Sequence, residues 1–141
     1  MPDNILVPVD GSEQSEEAFE YAIETFPDAT ITAFHAVEAG QGDLGTFSGM
    51  TGDIPDDEPR LEHSEEILED ARQRGEETGT VVETKRGRGR PDRLIVKLAD
   101  EGEYDMVVIG SHGRDGVSRV LLGSVAEKVV RRSPVPALVV R

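Results

Sequence analysis

Gly110, Gly113, Gly123 and Ser124 stand at a fixed spacing, G-x2-G-x9-G-S, directly after the apolar run Asp105 to Ile109 (DMVVI). Glycine lets a backbone turn tightly and approach an anion with no Cβ in the way. The segment runs into a helix start, where unpartnered N–H groups and the helix dipole favour phosphate oxygens. Arg114 and Arg119 add positive charge to the same stretch. Spacing alone leaves two readings open. One is a phosphate-cradling loop; the other is a turn feeding a helix capped by Ser124, with Ser124 and Glu127 forming an S-x-x-E capping box.

A second polar exit follows the run Asn4 to Val9 (NILVPV), which ends at Asp10-Gly11-Ser12. There Asp10 either meets a ligand, through a ribose, a base or a magnesium-bound water, or serves as a turn and cap residue for the next helix. The chain has no G-x-x-x-x-G-K-[ST], and its first strand does not exit into the G-x-G-x-x-G dinucleotide pattern. His35, His63 and His112 are scattered and fall at no metal-binding spacing, so neither a metal set nor a catalytic set is expected. His35 lies in an apolar strand and reads as packed, and His63 starts a helix and reads as exposed. His112 falls inside the glycine loop. Arg86 to Arg90 (RGRGR) reads as a basic turn, either solvated or touching phosphates or an acidic partner.

The elements that must position these residues alternate in type. Strand patterns cover Asn4 to Val9, Thr30 to Val37, Thr80 to Lys85, Asp105 to Ile109 and Pro134 to Val140. Helical patterns follow Ser12 (Ala18, Phe19, Ala22, Ile23 and Phe26 inward), Leu61 to Glu77, Pro91 onward (Leu94, Ile95, Leu98 and Ala99 inward) and Ser124 onward. Pro91 suits a first helical turn. Residues 39–60 are Gly- and Asp-rich without a period and read as a mobile surface loop. Strands alternating with helices imply parallel pairing, and near-continuous apolar strands imply a sheet covered on both faces. The expectation is one doubly wound α/β domain over residues 1–141, with five parallel strands in the order 3-2-1-4-5. In that order the exits at Asp10 and Gly110 line one crevice, where open parallel sheets bind ligands.

Charge and length narrow the function. The 141 residues include 29 acidic against 15 basic side chains, for a net charge of −14. Such a surface repels nucleic acid and anionic membranes. Lysine accounts for only 3 of the basic residues, and this acidic, lysine-poor composition suits a high-salt cytoplasm. No run reaches the length of a membrane span, and the start lacks a signal-peptide pattern, so a cytoplasmic protein is expected. The chain has no cysteine, which excludes disulfides and thiolate chemistry.

The full G-x2-G-x9-G-S spacing, the opening NILVPVDGSEQSEEAFEYA, the strand end FHAVE and the closing SRVLLGSVAEKVVRRSPVPALVV together resemble the nucleotide-binding universal stress proteins. The resemblance covers the whole chain. It implies ATP, or AMP or ADP, as ligand, magnesium carried on the phosphates, and a homodimer joined through the last strand, Val135 to Val140. By position, Pro8, Val9 and Asp10 would line the adenine and ribose side, and Ala36 would offer backbone contacts to adenine. Ile109 and Gly110 would lie beneath the ribose. Gly113, Gly123, Ser124 and Val125 would hold the phosphates, with Arg114 beside them. Three functions follow: a nucleotide-binding stress-response regulator with little or no turnover, a slow ATPase, or a dimeric interaction protein that binds no nucleotide.

Overall fold

A computed structural model describes residues 3–37, 57–111 and 123–141. The chain opens with β1 (Asn4–Pro8) and α1 (Glu13–Thr25), then β2 (Thr30–Val37) and α2 (Asp57–Thr78). It continues through β3 (Val82–Arg88), α3 (Pro91–Asp100) and β4 (Met106–Gly110) to α4 (Ser124–Arg132) and β5 (Ala137–Val140). The five strands form one parallel sheet in the order β3-β2-β1-β4-β5, as expected.

Alternation along the central strands builds two cores. Ile5 and Val7 of β1, with Ile31 and Ala33 of β2, pack beneath Phe19, Ala22 and Ile23 of α1 and Leu68 and Ala71 of α2. Leu6, Phe34, Val107 and Ile109 face the other way, against Ile95 and Ala99 of α3 and Ala126 and Val129 of α4. Ile5, Leu6 and Val7 are fully buried, each contributing about 1.5–3 kcal/mol of transfer free energy. Arg74 fastens the first pair of helices together: it pairs with Glu20, lies 3.9 Å from Glu16, and reaches Asp70 at 3.6 Å.

The α1 helix begins where the sequence puts it. Ser12 is its N-cap, with Oγ accepting from the Ser15 N–H at 3.2 Å, and Glu13 and Glu16 lie in the first turn. Several boundaries differ from expectation, most of the strand ends by one to three residues. The second helix starts at Asp57 rather than Leu61, taking in four residues expected to be loop; residues 38–56 lie outside the described ones. Pro59 fits because the first N–H groups of a helix have no partner to lose. The third strand runs from Val82 to Arg88, so Arg86-Gly87-Arg88 is strand rather than turn. Pairing decides this: His35, Ala36 and Val37 of the long β2 align with Arg86, Gly87 and Arg88. At Gly87 a Cβ would press on the Phe34 ring at 3.2 Å, so glycine there serves packing within the sheet. The last strand is short, Ala137–Val140, with Pro134 to Pro136 forming the approach to it.

Candidate functional site

The ends of β1, β2 and β4 lie side by side at the carboxyl edge of the sheet, with β2 running three residues further than β1. β1 pairs with β2 at Pro8↔Phe34 and with β4 at Leu6↔Val107. Continuing both registers sets Asp10 between Ala36 on one side and Ser111 on the other. This is the switch point of the topology: from β1 the chain winds outward to β2 and β3, and from β4 it winds outward to β5.

Asp10 is half-buried and shapes the turn. Its Oδ1 accepts from the Ser12 N–H at 2.9 Å, and its own N–H donates to Ser15 Oγ at 3.2 Å. Gly11 follows in the left-handed region (φ 83°). Asp10 Oδ2 has no partner among the described residues and is the carboxylate oxygen left for a ligand. Val9 is more firmly engaged. Its side chain lies in the first core, its N–H donates to the Phe34 carbonyl at 2.8 Å, and its carbonyl accepts from His35 Nδ1 at 2.8 Å. That bond fixes the Nδ1–H tautomer of a buried His35. Pro8 is half-buried just before it, and Ala36 is half-buried at the edge of the second core.

On the β4 side, Ile109 is buried in the second core and Gly110 is buried under α1. A Cβ on Gly110 would lie 2.7 Å from the Gln14 carbonyl oxygen, which is helix backbone and cannot give way. The first glycine of the motif is therefore needed for the close seating of α1 on β4.

Ser111 ties the next piece into place, a role that spacing did not reveal. Its N–H donates to the Val140 carbonyl at 2.9 Å, and its carbonyl accepts from the Gly123 N–H at 2.6 Å. Ser111 is buried, so this tether is shielded from water. The bond brings the exit of β4 and the start of α4 together. Gly113, Arg114, His112 and Arg119 lie outside the described residues.

The expected capping box is absent from α4. Gly123 is the N-cap (φ −68°, ψ 163°), without a side chain to cap the helix, and Ser124 is the exposed first helical residue. Glu127 falls one position too late to reach back. Its N–H makes the first intrahelical bond, to the Gly123 carbonyl at 2.9 Å, and its carboxylate pairs with Arg131 at 3.1 Å. The amides of Ser124, Val125 and Ala126 precede that first bond, and no side chain among the described residues caps them. Spacing cannot tell Ser-at-N-cap from Gly-at-N-cap when the two residues are adjacent; the Ser111 tether selects Gly123.

Asp105 stands at the opposite end of the sheet. Asp105 accepts backbone N–H bonds from Asp3 (2.9 Å) and Asn4 (3.0 Å), which hold its carboxyl below the ordinary value. Among the described residues no three His, Asp or Glu side chains converge as a metal set. An open trough of about 870 Å³ between α2 and β3 is edged mainly by charged side chains such as Glu65, Glu69 and Lys85.

Comparison with known proteins agrees with this architecture. The universal stress protein family profile matches residues 1–141. A curated relative, universal stress protein MJ0531 of Methanocaldococcus jannaschii, is 34% identical over 142 residues, covering 97% of this chain and 81% of the relative. Universal stress protein UspA from Lactobacillus plantarum superposes with a TM-score of 0.84 at 27% identity, covering 98% of this chain and 97% of that one. A universal stress protein solved in complex with cAMP superposes at 0.71 and 26% identity, covering 99% of this chain and 97% of that one.

Proposed function

This chain belongs to the universal stress protein family, some of whose members bind nucleotides, and from that premise we propose that it is an adenine-nucleotide-binding regulatory protein with little or no turnover. The observation that carries the reading is the Gly123–Ser111 bond. It sets the uncapped start of α4 at the same crevice as Asp10, so that amide donors and a helix dipole face the place where phosphates would lie. The intact glycine spacing supports it, as does the relative that holds cAMP.

In this reading Ser124 and Val125 hold the phosphates through their amides and the Ser124 hydroxyl, Gly123 keeps their approach clear of a Cβ, and Gly113 and Arg114 complete the cradle. Pro8 and Asp10 face the ribose and adenine, Ala36 flanks the base, and Ile109 and Gly110 form the floor. Val9 acts from behind, as the residue that fixes the β1 exit. Magnesium fits the donors present: it keeps several waters and takes one or two carboxylates beside substrate phosphates, and Asp10 Oδ2 is such a carboxylate oxygen. Low turnover is supported by the engagement of His35, with one oxygen of Asp10 also taken by the turn. Asp10 holds the turn and His35 holds the Val9 carbonyl.

The half-buried edge strand β5 suits pairing with a second copy, which would cover Ala137 to Val140. No helix among the described residues is long and apolar enough to cross a membrane, and the acidic surface suits the cytoplasm, including a salt-rich one. The test is acid extraction of the purified protein, identification of any nucleotide released, and calorimetric titration with ATP and magnesium. Binding with phosphate release at background supports the reading. Sustained phosphate release would make the protein an ATPase, and failure to bind any adenine nucleotide would leave the glycine motif architectural.

A further inference from the structure

Resting on that reading, we propose that His63, on α2, is a further nucleotide-binding residue, donating or accepting a hydrogen bond through Nε2 at the nucleoside end of the site. His63 and Ile67 are one helical turn apart and share a face. That face is laid on the β1–α1 turn: Ile67 Cδ1 lies 3.3 Å and His63 Nε2 lies 3.9 Å from the point where a Cβ on Gly11 would stand. A side chain at Gly11 would therefore push against α2, and the left-handed turn is kept bare where the imidazole meets it.

The ring is presented by a rigid support. Ser64 and Leu68, on the same stretch of α2, are buried, and Ile67 packs against the first core. His63 itself is exposed. Gly11, whose missing Cβ would face His63 and Ile67, is joined directly to Asp10, whose Oδ2 is the carboxylate oxygen left over by the turn. An exposed imidazole on one side of the β1–α1 turn and the Asp10 carboxylate oxygen within that turn offer two polar groups to whatever lies over the β1 exit. In the proposed function that is the ribose and base; the phosphates lie at the start of α4. His63 should therefore respond to the nucleoside and be indifferent to the phosphate count.

The experiment is a calorimetric titration of the full-length protein with adenosine, AMP and ATP, for wild type, His63→Ala and His63→Gln, with thermal melts of all three. The His63→Ala change is expected to raise Kd about three- to tenfold, by the same factor for each ligand, as loss of one hydrogen bond predicts. His63→Gln, whose amide can occupy the Nε2 position, is expected to recover most of it, and the melting temperatures are expected to agree. Wild-type binding with an unchanged His63→Ala affinity overturns this inference alone. So does a loss that grows with phosphate count, or one that tracks a fall in melting temperature. Failure of the wild type to bind any of the three overturns the nucleotide reading and this with it.

Discussion

Two helices begin at the same crevice and begin differently. The start of α1 is closed by its own sequence: Ser12 caps the Ser15 amide, Asp10 takes the Ser12 amide, and Glu13 and Glu16 add negative charge to the first turn. The start of α4 is open. Its N-cap is glycine, Ser124 points to solvent, and Glu127, the acidic residue of its first turn, is drawn away by Arg131. A capped helix start offers an incoming anion little, while an open one offers amides and the positive end of a dipole. The contrast teaches where in this fold a phosphate would go: beside β4, with α1 as scaffold.

The contrast can be broken most forcefully through the residue that seats α1. Gly110→Ala drives a Cβ into the Gln14 carbonyl, 2.7 Å away, and is expected to destabilise the fold by about 3 kcal/mol. The melting temperature should fall by on the order of 10 °C, read by calorimetry. Next in size, Gly123→Asp gives α4 the kind of start that α1 has. Its φ of −68° suits any residue, so the protein alone should melt at the same temperature or slightly higher. Its affinity for ATP should drop roughly tenfold or more, because a carboxylate then occupies the anion's place. Melts and titrations on the same samples check both halves.

The reverse change sharpens the comparison. Ser12→Ala opens α1 and is expected to cost about 1 kcal/mol of stability, seen in denaturant titration. ATP affinity should stay as it was, since the proposed phosphate seat is at the other helix. The smallest effect belongs to Asp105, far from the crevice at the amino end of β1. Its carboxyl is held below the ordinary value by the Asp3 and Asn4 amides. The stabilisation is present above the ordinary aspartate value, near 3.9, and is lost as pH falls from there through the lower folded value. Asp105→Asn should flatten that acid limb of the stability curve and leave nucleotide binding unchanged.

Much of this was legible in the residues. The β2 strand falls where TITAFHAV places it, and parallel pairing follows from the alternation of helices and strands, while the order 3-2-1-4-5 comes from the fold class that this alternation implies. What stayed hidden depended on long-range contacts. Arg86-Gly87-Arg88 carries turn-like composition, but pairing with the end of β2 holds it in the sheet. The capping box at Ser124 satisfies a local pattern, but the Ser111 carbonyl captures the Gly123 amide and shifts the helix start by one residue. Gly110 reads as part of a ligand loop, lying beneath the ribose, whereas the neighbour that a Cβ there would strike is the backbone of α1. Asp10 was read both ways, as turn residue and as ligand contact; one oxygen is taken by the turn and the other is left. His63 was read as exposed, which it is, but its nearness to Gly11 comes from packing of α2 over the β1–α1 turn, and no spacing records it.

The measurement that bears most directly on the open helix start is a residue-by-residue NMR titration of the backbone amides with ATP and magnesium. The account predicts that the amide resonances of Ser124, Val125 and Ala126 shift strongly and saturably, while those of Glu13, Gln14 and Ser15 stay close to their free positions. Shifts concentrated at the start of α1, with the α4 amides unmoved, would contradict it.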